Sequence, residues 1–201
     1  MMLLNILIAV VVVYVALFSA LAMYSFCSGV HCVAVAVIAG RFAKDLGYGP
    51  LRRAYIVLNG LFHDIGKVMI PDAILHKEGK LTPTEREIIE SHAKNWIARF
   101  VGIVFPAAIH HHLDANNNGY GVGKQSKIGA IIEICDVYEA VCGYFRTYAK
   151  PRTEEEVMDI MNKCAGKFDA ELFKTFMENV TNYKHPAFIV KANDMWVAVK
   201  Q

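Results

Sequence analysis

No two cysteines in this 201-residue chain are spaced as CxxC, and the five thiols at Cys27, Cys32, Cys135, Cys142 and Cys164 form no even ladder. That excludes a disulfide framework and a thiolate metal finger, and predicts reduced thiols, with Cys135 a small buried residue. Excess charge is also missing. Lys and Arg number 21 against 19 Asp and Glu, for a net +2, so there is no basic footprint for a nucleic-acid polymer. No serine or cysteine stands in the pattern of a nucleophilic triad. Charge is absent altogether from Met1 to Tyr24. Within that run Leu3 to Met23 is long enough to cross a bilayer as a helix, interrupted only by Asn5, Tyr14 and Ser19. No Lys or Arg precedes it, against a signal peptide. Arg41, Lys44, Arg52 and Arg53 follow it, so the positive-inside rule predicts a single-pass membrane helix with the C-terminal body in the cytoplasm. The competing account is an apolar helix buried in a dimer interface. Residues 1–24 are thus expected to be a membrane helix, 25–182 one domain, and 183–201 a tail with a short hairpin.

What is present is histidine and carboxylate in quantity. His63 and Asp64 are adjacent in Leu-Phe-His-Asp-Ile-Gly-Lys. A carboxylate beside an imidazole can bridge two cations while the imidazole binds one of them. Lys67 follows one turn later, so a continuing helix would bring all three to one face, with Gly66 and Pro71 as its stop signals. Further donors are His31, His92, His110, His111, His112 and Asp136. Imidazole and carboxylate without thiolate suit hard or borderline divalent ions: iron, manganese, zinc or nickel.

The pattern between these residues is helical. A helix ends near Gly47-Tyr48-Gly49-Pro50, and Leu51 to Phe62 forms the next. Thr82 with Pro83 and Glu85 predicts a capping box. The helix it opens carries Ile88, Ile89, His92 and Trp96, with His92 on the inward face. Three consecutive histidines cannot all face one centre, because successive helical residues point about 100° apart. Ile128 to Cys135 delivers Asp136 from an apolar setting, where an unpaired carboxylate is costly. Glu139 lies on the same face. Two more helices are expected around Gly166-Lys167-Phe168-Asp169.

The runs LFHDIGKVMIPDAILHKEGKLTPTEREIIESH (Leu61 to His92), IGAIIEICDVYEA (Ile128 to Ala140) and GKFDAELFKTF (Gly166 to Phe176) carry a resemblance. From about His31 to Val180 the chain resembles the HD-GYP domain, a subgroup of the HD phosphohydrolase superfamily. The resemblance implies an all-α HD-domain bundle with a metal centre that hydrolyses cyclic di-GMP to pGpG or on to GMP. It implies as metal ligands His31, His63, Asp64, His92, two of His110, His111 and His112, and Asp136. Asp64 would bridge, Lys67 would hold a phosphate oxygen as the catalytic cation, and Tyr120, Arg146 and Lys150 would contact substrate. Two divalent ions, iron or manganese ahead of zinc or nickel, would neutralise the phosphoryl charge and activate water.

This chain departs from the family signature HHExxDGxGYP, reading HHHLDANNNGYG from His110 to Gly121. Gly121 stands for the proline, and either His112 or Leu113 stands for the Glu. The alignment that pairs His110 with His111 is preferred. Cys27 stands where trinuclear members carry Glu, so two metals are expected. The competing functions are a binding or scaffold module without turnover, and an HD phosphohydrolase of another nucleotide phosphoester. Within 201 residues no sensor, receiver or cyclase domain is expected, so input would come through the membrane helix, a partner or homodimerisation.

Overall fold

The computed structural model describes residues 25–142, 152–183, 189–192 and 195–198, with isolated positions 13, 15, 16, 19 and 20. The membrane helix expected over residues 1–24 lies outside these but for the five isolated positions, which are helical; Arg146 and Lys150 lie outside them too. Among the described residues no helix is long and apolar enough to cross a membrane.

Helices make the body, and their ends are written in capping residues. Ser25 adopts an extended conformation and its hydroxyl accepts from Ser28 N, opening α1 (Phe26–Asp45). Gly47 closes α1 at φ +77°, with Tyr48 N bonded back to Ala43 O. Pro50 is the first residue of α2 (Pro50–Phe62). α1 and α2 lie close because glycine removes side chain at two levels. A Cβ on Gly60 would stand 2.8 Å from Ala36 Cα, and one on Gly40 2.8 Å from Val57 Cγ2.

The helix does not carry on through His63 to Lys67, contrary to expectation. α2 ends at Phe62, and Lys67 sits in a separate 3-10 turn, Ile65–Met69. Gly66 therefore is not a helix stop. It is needed because a Cβ there would fall 1.9 Å from His92 O. After the short α3 (Asp72–Leu75), Thr82 opens α4 (Pro83–Glu90) with the expected capping box. α4 also stops early, so His92 sits in a 3-10 turn, Ser91–Ala93, while Trp96 begins α5 (Trp96–Gly102) and is 66% exposed. The single helix expected to hold both breaks at Asn95, whose side chain caps α5 through Ala98 N and donates to Gly66 O.

α6 (Ala107–His110) is one turn long, and α7 (Lys127–Cys142) runs through the middle of the body. Ile131, Ile132, Ile134 and Cys135 of α7 are fully buried with Ile38 and Phe42 of α1. α8 (Glu154–Cys164) and α9 (Ala170–Glu178), separated by Gly166–Asp169 as the pattern predicts, add Met161 and Phe176 to that core. Each such side chain contributes roughly 1.5–3 kcal/mol of burial, and Phe176 meets Phe42 edge-on at 5.0 Å. A smaller core gathers Cys32, Phe62, Ile65, Ile97, Val101, Phe105 and Ala108. Beyond the helices, β1 (Ile189–Ala192) and β2 (Met195–Ala198) pair antiparallel in the tail.

Candidate metal centre

His63 and Asp64 fall between Phe62 and Ile65 of the smaller core, and Asp136 adjoins Cys135 of the larger one. Packing on both sides thus fixes the polar cluster. Asp64, 2% exposed, is its middle. Its Oδ1 faces His92 Nε2 at 3.1 Å and His111 Nε2 at 3.7 Å. Its Oδ2 faces His63 Nε2 at 3.4 Å, His31 Nε2 at 3.6 Å and Lys67 Nζ at 2.5 Å. Asp136 Oδ1 lies 3.0 Å from His31 Nε2 and 3.8 Å from His63 Nε2. His112 joins by a 3.1 Å approach of its Nε2 to His92 Nε2.

Backbone carbonyls set the tautomers. Nδ1 of His63 donates to Gly60 O at 2.7 Å, Nδ1 of His92 to Ile89 O at 2.6 Å, and Nδ1 of His111 to Ala107 O at 2.6 Å. With Nδ1 occupied as donor, Nε2 of each ring is the atom turned into the cluster, the orientation a metal-binding imidazole needs. His31 Nδ1 is held by the Glu139 carboxylate, one turn past Asp136 on α7. Nε2 of His63 and of His111 is buried and makes no hydrogen bond. Two buried ring nitrogens facing one carboxylate without a hydrogen bond are costly unless a partner completes them, and a cation between them would do so. The residues fit divalent ions: Asp64, His92, His111 and His112 form one group able to hold a metal, and His31, His63 and Asp64 form another.

Charge is balanced by contact. Burial opposes ionisation of Asp64, but Lys67 and His63 overcome it and hold its carboxyl well below the usual range. Burial opposes the charge on His31 as well, yet Glu139 and Asp136 lift it to about 10. His111 goes the other way. Burial, with His63 and His92 alongside, lowers it to about 4. Burial, with His111 and His92 alongside, lowers His112 as well. Both rings are therefore neutral donors of electron pairs at neutral pH.

Of the expected ligands, His31, His63, Asp64, His92, His111 and Asp136 come together, with Lys67 beside them. His110 does not. Its Nδ1 pairs with Ser126 Oγ at 3.0 Å, and its Cβ abuts Gly129, where an added Cβ would stand 2.7 Å away. The pair facing the cluster is His111 and His112, so Leu113 takes the place of the family's Glu. The next loop explains the missing proline. A Cβ on Gly121 would meet Ile109 O and Leu113 Cγ at 2.6 Å, and Gly119 at φ +116° would put one 2.0 Å from His112 O. Folded this tightly, the loop lays Tyr120 on His112, ring centroids 4.2 Å apart. Sequence reading missed the loop's anchor. Gln125 Nε2 donates to Leu113 O and, at 2.6 Å, to buried Glu133 of α7. An acid within the run IIEIC was the available signal.

Comparison with known proteins bears on the family and the fold. An HD domain family model matches residues 16–172. The chain is 33% identical over 170 residues to the cyclic di-GMP phosphodiesterase PA4108 of Pseudomonas aeruginosa, covering 79% of this chain and 41% of that one. It is 32% identical over 164 residues to 3'3'-cGAMP-specific phosphodiesterase 1 of Vibrio cholerae, covering 76% and 38%. The chain thus spans less than half the length of these relatives. In fold it is similar to the HD domain of the L. monocytogenes phosphodiesterase PgpH, with TM-score 0.62 at 22% identity over 84% of this chain and 99% of that one. Family match, relatives and the clustered His and Asp side chains lead to one conclusion: the chain belongs to the HD domain family, of the HD-GYP type.

Proposed function

We propose that this chain hydrolyses a phosphodiester bond of a cyclic dinucleotide, cyclic di-GMP first, to pGpG or GMP. The observation that carries the reading is Asp64, whose two oxygens face different imidazole groups. His92, His111 and His112 would hold one ion at Oδ1, and His31, His63 and Asp136 a second at Oδ2. Iron or manganese suits these donors best, then zinc or nickel. When bound, such ions supply Lewis-acid neutralisation of phosphoryl charge and a lower pKa for water.

The chain's own groups complete the site. Lys67 is held charged by Asp64, against the effect of burial, and its three donors can bind a non-bridging phosphoryl oxygen as charge accumulates there. Burial keeps the Tyr120 phenol protonated, with nearby Asp64 and Asp136 reinforcing it, so it serves as a donor and as a flat surface over the cluster. Arg146, and Lys150 with it, would by resemblance supply phosphate-binding cations. The names of the relatives support the substrate class, and a solved complex of PgpH with cyclic-di-AMP has a similar fold at TM-score 0.61. We further propose single-pass tethering through residues 1–24, with the domain in the cytoplasm and input arriving through that helix, a partner or homodimerisation.

A second reading, a module that binds without turnover, is favoured by the divergent loop that lays Tyr120 over His112, ring centroids 4.2 Å apart. One experiment separates them. The full chain is purified anaerobically in detergent, its metals are counted, and cyclic di-GMP and 3'3'-cGAMP are followed to their linear products. Two metals per chain with product supports the enzyme. Tight binding without product, across iron, manganese, nickel and zinc, selects the module. Turnover of other nucleotides alone would end the cyclic-dinucleotide reading.

A further inference from the structure

Apart from the metal cluster, a groove of about 560 Å³ opens between α1 and α2, lined by Val37, Gly40, Arg41, Lys44, Pro50, Arg53, Ala54 and Val57. Its size is that of a small-molecule site, roughly 300–1,000 Å³. Gly40 makes the floor, since a side chain there would collide with Val57. The floor is aliphatic and the walls carry three cations. Arg53 is half-buried in this lining, and its Nε makes no hydrogen bond with the protein. On the neighbouring stripe of α2, Leu51 is 89% and Leu58 40% exposed.

We propose that this groove binds the headgroup of an anionic phospholipid, with the phosphate among Arg41, Lys44 and Arg53 and the first acyl carbons over Val37 and Val57. Charge and apolarity together choose the occupant. A free anion has no use for the aliphatic floor. A second copy of the chain would bring three cations against three cations. A bilayer surface offers phosphate to the cations and, just beneath it, hydrocarbon to exposed leucines. Ser25 is extended rather than helical, so α1 is not bound to continue the direction of the segment before it and can lie along that surface.

The test uses the full chain, delipidated in a non-ionic detergent, with phosphatidylglycerol, phosphatidylcholine or inorganic phosphate added back and bound lipid counted by native mass spectrometry. One phosphatidylglycerol should bind saturably, with phosphatidylcholine at least tenfold weaker. Each cation removed should weaken it about fivefold, so Lys44→Gln/Arg53→Gln should lose roughly 25-fold. Ala54→Trp, an exposed change that fills the groove without touching charge, should weaken it comparably, while the metal content of all variants stays at the wild-type value. Equal binding of the two lipids, or unchanged binding in both variants, overturns the proposal. So does full displacement of the lipid by millimolar phosphate, which would make this an anion site only.

Discussion

At the scale of the residue, His110 and His112 stand two positions apart and meet opposite surroundings, one at Ser126 and the other at His92. His112→Ala should therefore lower metal content while His110→Ala keeps it, as elemental analysis of the two purified proteins would read. Asp64→Ala should lose metal and turnover together, since both groups of imidazoles share that carboxylate. Lys67→Met should retain metal but lower kcat by about 10²–10³, the usual effect of removing one transition-state donor. The donor types were legible before any coordinates, because imidazole and carboxylate are rare in apolar runs unless something completes them. The register of the histidines was not. Residue type is the same at all three positions, and what selects between them is the one-turn length of α6 and the pressure of Gly129 on His110 Cβ.

At the scale of the element, the turns matter as much as the helices. The 3-10 turns that carry Lys67 and His92 touch backbone to backbone at Gly66. Gly66→Ala should cost at least about 1–3 kcal/mol, visible in the urea midpoint, and should loosen metal binding because His92 must move. The capping box at Thr82 was readable since its residues satisfy one another locally. The breaks at His63 and Asn95 were not, because long-range bonds such as Asn95 to Gly66 decide them. Glu133, which anchors the Tyr120 loop, is raised to about 8, chiefly by burial against the opposing Gln125 bond. Between its ordinary value and about 8 the folded chain holds a proton that the unfolded chain has released. Its contribution is thus complete at low pH and is lost as pH rises through about 8. Glu133→Gln should flatten the fall in stability over that window, measured as the difference between two pH profiles of thermal unfolding.

At the scale of the whole molecule, the candidate ligands come from α1, the end of α2, the Ser91–Ala93 turn, the end of α6 and α7, so a bound ion would tie together nearly every layer. Chelation should lower Tm by several degrees, in line with roughly 3 kcal/mol for an ion at a hundred times its Kd. The exposed turn at Gly79, φ +97° with open space around it, divides this set unevenly. His31, His63 and Asp64 precede it, and His92, His111, His112 and Asp136 follow. A chain cut there becomes two fragments, each with an incomplete coordination sphere. Their reassembly would then depend on the ion, making the split protein a reporter of free metal, with fragment complementation as its signal.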